Sequence, residues 1–168
     1  VLGVRRVTLR AIVDAVTLRK LPVLWVEVVV HRPLAVGGTL NVLLRPAGTE
    51  FFSPDAGFAH ELAPPAEFPR PARVSCSSPG SAPPVRVLVP AVDLLGDPAT
   101  KELGVGRGGL RVVLLVAEGD QASYRTTRRA VFDRPRLHAD VLSRAVAVLA
   151  DVGDGIGDRT GSVTEVVS

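Results

Sequence analysis

A second cysteine is missing from this chain, and so is any methionine: Cys76 is the whole sulfur complement. A lone cysteine excludes an internal disulfide and cannot supply a multi-cysteine zinc site. Lysine is almost as scarce, since of twenty basic residues only Lys20 and Lys101 are lysines. With one asparagine (Asn41) and two isoleucines (Ile12 and Ile156) against abundant Ala, Val, Gly, Pro and Arg, the composition looks like GC-rich coding. Arginine abundance is then partly a codon effect and weak evidence for nucleic-acid binding. Long hydrophobic runs are absent as well. Val23–Val30, interrupted by Glu27, and Val112–Ala117 fall far short of the roughly 20 residues that span a bilayer, so no membrane span is expected. No basic-then-apolar opening with a cleavage site is visible. Together with the single cysteine this favours a cytoplasmic, intracellular setting. A start at Val1 in a chain without methionine leaves room for a trimmed N-terminus.

What is present suits a globular protein. Hydrophobic residues make up 46% and charged residues 22% of 168, enough to bury a core and too apolar for disorder. The tetrapeptide Val-Thr-Leu-Arg occurs twice in Val7–Lys20, nine residues apart. As a helix, Leu9, Ile12, Val13 and Val16 form a stripe; as a strand, Val7, Leu9, Ala11 and Val13 share a face. The β-branched content favours an extended strand pair or a long bent strand. "VLWVEVVVH", Val23–His31, is bounded by Pro22 and Pro33 and reads as a strand. Thr39–Arg45 alternates and reads as its partner. Pro46–Pro84 holds a proline-rich loop layer with edge pieces such as Ala72–Cys76, anchored by Phe51, Phe52, Phe58 and Phe68. Strands are expected again at Val85–Leu94, Leu110–Glu118 and Ala122–Asp133. A helix follows, with Leu137, Val141, Leu142, Ala145 and Leu149 on one face, Asp133 as cap, Pro135 in the first turn and Gly153 as its stop. The remainder reads as a frayed tail or a last edge strand.

About seven short strands at intervals of about ten residues predict a mainly β, antiparallel, immunoglobulin-like β-sandwich. Its domain would be residues 1–133, with a C-terminal amphipathic helix and acidic tail at 134–168. The layout of "VEVVVHRPLAVGGTLNVLLRPAG" resembles immunoglobulin-like appendage domains, in which one strand ends in a Pro-Leu turn and the next at a glycine.

Candidate chemistry is sparse. "GVGRGG", Gly104–Gly109, has the glycines of a phosphate cradle with Arg107 beside them, but it precedes a strand and reads as a hairpin connector. Asp151, Asp154 and Asp158 lack the spacing and closing glutamate of a calcium loop. His31, His60 and His138 are scattered, and Cys76 reads as a small buried hydrophobe. No metal site or cofactor is expected. The basic cluster Arg125, Arg128, Arg129, Arg134 and Arg136 against Asp133 is the densest candidate binding surface, since guanidinium forks suit phosphate or carboxylate. Few aromatics accompany it, so nucleic acid is a possible but not favoured partner.

One enzymatic resemblance exists. "SPDAGFAHELAPPAEFPRPARVSC" is similar to the uracil-contacting stretch of the trimeric dUTPases, with Asp55, Ala56, Gly57 and Phe58 matching in kind. Ala59 stands where that family keeps an aspartate, and the family's Gly-Val-Ile-Asp…Tyr-Arg-Gly hairpin is absent. The resemblance implies a dUTPase-like β-fold protein, either an enzyme or an inactive viral derivative. The residues by themselves favour a soluble, non-catalytic structural module for protein–protein contacts or self-assembly, its partner another protein or a second copy. A nucleic-acid-binding module using an arginine-rich strand is the further alternative.

Overall fold

The computed structural model describes residues 6–15, 21–48, 50, 52–127 and 129–161. Its strands are β1 (Val7–Asp14), β2 (Val23–His31), β3 (Leu40–Leu44), β4 (His60–Leu62), β5 (Ala72–Cys76), β6 (Thr100–Gly106) and β7 (Gly109–Glu118). All seven join one antiparallel sheet in the order β1-β2-β7-β6-β3-β5-β4. The helices are α1 (Val92–Gly96), α2 (Gln121–Thr127) and α3 (Ala139–Gly161), with 3-10 turns at Pro54–Gly57 and Val85–Ala91. The protein is mainly β, as expected. The immunoglobulin-like sandwich is not seen: the described strands make a single sheet, and the layer opposite its apolar face is helical.

Strand alternation sets the two faces of the sheet apart. Val28 and Val30 of β2, Leu110, Val112 and Leu114 of β7, Leu103 and Val105 of β6, Leu40, Val42 and Leu44 of β3, and Val74 and Cys76 of β5 point one way and are buried. Against them pack Ala145, Leu149, Val152 and Ile156 of α3, with Val87, Leu88, Ala91, Leu94 and Leu95 from the preceding helical segment. Both faces of β3 are covered, and all five of its residues are buried.

Several elements differ from the sequence expectation: β3 pairs with β5 and β6 and not with β2, and Thr100–Gly106, where no strand was expected, is the central strand β6. Val85–Leu94 is not a strand; it lies in the 3-10 turn and α1. Its buried residues, Val87, Leu88, Ala91, Leu94 and Leu95, follow helical spacing, and Pro90 cannot donate to a ladder. Ala122–Asp133 is not a strand either, since Gln121–Thr127 is helical. Asp120 caps that helix, its carboxylate accepting from the Ser123 backbone N–H at 2.6 Å. That bond and the Ser123 side chain hold the Asp120 carboxyl below its ordinary range.

The C-terminal helix begins at Ala139, after Pro135, and runs through Gly153 to Gly161. Gly153 does not stop it because the residue serves close approach. A Cβ there would sit 3.0 Å from Leu110 Cδ1 and 3.3 Å from Arg32 Cδ, so the missing side chain lets α3 lie against β7. Arg32 also pairs with Asp154 on the same turn. The proline-rich layer is largely irregular, as expected, and Phe68 is its buried anchor. Phe51 and the tail 162–168 lie outside the described residues.

Two stability predictions follow from these contacts. Gly155, exposed with open space at its Cβ position, gains about 0.5–1 kcal/mol on Gly155→Ala from reduced chain entropy; Gly153→Ala shows no such gain and lowers the urea midpoint. For Asp120 the depressed folded pKa means its capping contribution is present above the ordinary carboxylate range and lost as pH falls through the folded value. Protection factors at Tyr124–Thr127, with the intrinsic slowing of exchange by acid divided out, therefore fall as the pH drops through that value in the wild type, and are already reduced at neutral pH in Asp120→Ala.

Candidate functional site

The second face of the sheet carries charge where the first carries valine. Its rows read across neighbouring strands as Thr8, Val29, Arg111, Gly104, Asn41, Ser75 and Glu61, and as Arg10, Glu27, Val113, Glu102, Leu43 and Arg73. Arg111 on β7 is diagonal to Glu27 on β2 and to Glu102 on β6, the offset at which long side chains meet. It donates to Glu27 Oε1 at 3.2 Å, to Glu102 Oε1 and, at 3.4 Å, to the Phe52 carbonyl. Arg10 of β1 closes the line with a two-pronged contact to Glu27, at 2.9 and 3.2 Å. The charges alternate, Arg10–Glu27–Arg111–Glu102, from the sheet edge to its middle. Burial pushes the Arg111 guanidinium below its ordinary pKa, and the hydrogen bond and charge of Glu27 oppose that shift.

Glu50, Phe52 and Pro54 cover part of this face. Lys101, at a bulge of β6, pairs with Glu50 at 2.9 Å and donates to the Arg45 carbonyl at 2.8 Å; both ionic groups are buried. Phe52 rests on Trp25 with ring centroids 5.4 Å apart. Between this cover and the hairpin of β6 and β7 lies a cleft of about 220 Å³ lined by Thr39, Asn41, Pro54, Gly104, Gly106 and Arg111, among others. Glycine at 104 keeps the floor low, because a Cβ would approach Asn41 Oδ1 to 3.2 Å. The polar side chains of this cleft are an amide, a hydroxyl and a guanidinium. They can hold a polar group but do not include a base that works near neutral pH.

The edges of the sheet are unequal. β4 is three residues long, carries exposed His60 and Glu61, and is followed by Pro64 and Pro65. Short length, charge and proline are the usual means of keeping an edge from pairing. β1 has none of them on its outer face: eight residues, no proline, glycine or lysine, and an unbroken register with β2. The phase of its hydrogen bonding is set by the His31 N–H, which donates to the Arg6 carbonyl at 2.9 Å. Arg6 and the even positions after it thus bond to β2. Val7, Leu9, Ala11 and Val13 turn their backbone N–H and C=O groups outward. Val7, Leu9 and Val13 are also 38%, 50% and 53% exposed, three of the four large hydrophobic residues on the surface among the described residues.

The residues singled out from sequence are dispersed. Arg107 is exposed at the tip of the β6–β7 hairpin, so Gly104–Gly109 is the connector expected, with Gly109 at φ 140°. Arg125 is exposed on α2, a helix and not the arginine-rich strand proposed; Arg129, Arg134 and Arg136 are exposed in the irregular stretch after it, and Arg128 lies outside the described residues. These follow the end of β7 opposite to the hairpin that carries Arg107. His31, His60 and His138 are exposed on different elements, His31 bonded to Thr8 at 2.7 Å. Cys76 is buried in the core. The stretch similar to dUTPases forms the turn Pro54–Gly57 and then β4, and Pro54 reaches the cleft. Among the described residues no group of three or more His, Cys, Asp or Glu side chains could hold a metal ion, and no helix is long and apolar enough to cross a membrane.

Sequence reading missed Glu27, Glu102 and Arg111. The available signal was a charge inside the valine- and leucine-rich strands β2 and β7; β6, with Lys101 beside Glu102, shows no such contrast. Comparison with known protein families, curated proteins and solved structures gives no match.

Replacing Arg111 alone leaves Glu102, which is fully buried, without its cation. Arg111→Leu is expected to cost about 3–5 kcal/mol, and adding Glu102→Leu to recover part of that loss. Urea unfolding of the single and double variants reads the coupling. Arg10→Ala, at an ion pair whose arginine is 61% exposed, costs about 0–1 kcal/mol.

Proposed function

We propose that this protein is a non-catalytic binding module that makes protein–protein contacts by adding a strand at the open edge of β1. The observation that carries this reading is the outward phase of Val7, Leu9, Ala11 and Val13, combined with the exposed apolar row they bear. An exposed strand edge recruits another chain through main-chain hydrogen bonds, and alternate side chains supply the fit. The opposite edge is short and charged, which supports a role specific to β1. The cleft beside Arg111 has polar donors without an acid–base pair, which fits binding better than bond cleavage.

Proline at position 11 separates this function from folding. The Ala11 N–H points away from β2, so Ala11→Pro removes an edge donor without taking a bond from the sheet. Affinity capture from the native source with wild-type protein and with Ala11→Pro is the test. A binding partner retained by the wild type and lost by the variant is expected; identical retention by both overturns the reading.

A further inference from the structure

We infer that the occupant of the β1 edge is β1 of a second copy, running antiparallel across a two-fold axis at Ala11. This inference rests on the edge reading above and adds to it the partner and the register. A two-fold axis normal to the sheet keeps each face on its own side. The apolar row then stays with the helical layers and the charged row with the opposite face. The two seven-stranded sheets become one continuous sheet, joined by an isologous contact.

Hydrogen-bond phase restricts the alignment. Outward groups belong to the odd-numbered positions, so an odd residue must face an odd residue for both strands to satisfy their bonds. Two centred registers meet that condition. One sets Asp14 opposite Arg6 but also Arg10 directly opposite Arg10 at the axis on the charged face, where like charges repel. The other sets Ala11 opposite Ala11 and Leu9 opposite Val13, which pairs two of the three exposed apolar side chains of β1, with Val7 opposite Ala15. On the charged face it places Thr8 opposite Asp14, with Asp14 diagonal to both Arg6 and Arg10 of the other copy. That diagonal is about 7–8 Å, within reach of a guanidinium. The strand VTLRAIVD is therefore complementary to itself in charge and in shape.

Self-complementarity of this kind favours a second copy over an unrelated strand. Asp14 lies at one end of β1 and Arg6 just before the other, so reversal of direction brings opposite charges together at both ends of the contact. Arg10 stays held by Glu27 while it lies diagonal to Asp14 of the other copy, which limits the side-chain entropy lost on pairing.

Sedimentation equilibrium of the whole chain over about 1–100 μM tests the pairing. A concentration-dependent dimer is expected, with a dissociation constant at least about tenfold higher in Ala11→Pro, in Leu9→Lys and in Asp14→Lys. Leu9→Lys alters no backbone group and guards against a folding defect in the proline variant; circular dichroism checks both. Oxidation of Ala11→Cys in a Cys76→Ser background should give a disulfide-linked dimer, because opposed residues of a hydrogen-bonded pair have Cα atoms about 5.5 Å apart. A wild-type chain that remains monomeric throughout, or a dimer that none of the substitutions weakens, overturns the pairing. Cross-linking through Arg10→Cys but not through Ala11→Cys overturns the register. A monomer that still loses a captured partner on Ala11→Pro overturns self-pairing alone; no effect of Ala11→Pro in either assay overturns the edge reading with it.

Discussion

Arg111 stands between two carboxylates on the face of the sheet that the helices do not cover, and the arrangement of that face depends on it. Glu102 is fully buried, and Glu27 nearly so. Carboxylates in such positions are tolerable only with a cation and hydrogen bonds close by. Arg111 supplies both at once through its rigid fork, and its remaining donors reach the Phe52 carbonyl of the covering segment. One guanidinium thereby links β2, β7 and β6 and holds down the loop above them. Arg10 extends the same alternation to β1.

This polar layer explains how a single sheet has both faces occupied. The apolar face needs a hydrophobic cover and has α3 with the helical segment Val85–Gly96. The charged face needs a cover that brings hydrogen-bonding groups, and an irregular segment that offers it the Phe52 carbonyl and the Glu50 carboxylate serves that purpose. Lys101 and Glu50 form a second buried pair that fastens the same segment. The space a sandwich would give to an opposing sheet is thus held by loop and ion pairs.

Cover is complete over the middle strands and thins toward β1. The helical layer packs on β2 and β7, while Leu9 and Val13 remain about half exposed beyond it. Among the described residues the sheet ends in charge and proline at one edge and in outward, in-phase backbone groups at the other. Monomeric proteins protect both edges because a free edge pairs indiscriminately. Here the only charged side chains of β1, Arg10 and Asp14, lie on the polar face and leave the outer apolar row unguarded. In the proposed self-pairing a second β1 covers that row in the Ala11-centred register.

Local residue character was enough to mark the strands at Val23–His31 and Leu110–Glu118, the extended start at Val7–Asp14, the glycine hairpin and the burial of Cys76, because β-branched density and turn residues act over a few positions. It misled at Val85–Leu94, where valine content outweighed a helical spacing that Val87, Leu88, Ala91 and Leu94 share with the adjoining Leu95, and at Gln121–Thr127, a helix that Asp120 caps. Gly153 read as a stop because only the packed structure shows Leu110 and Arg32 against it. Glu27 and Arg111 are 84 residues apart, and no local pattern joins them. Which strand lies at the edge, which way its amides point and which charges share a face are set by long-range pairing. Those choices belong to the tertiary structure, because backbone hydrogen bonds between distant segments carry no imprint in the neighbouring sequence.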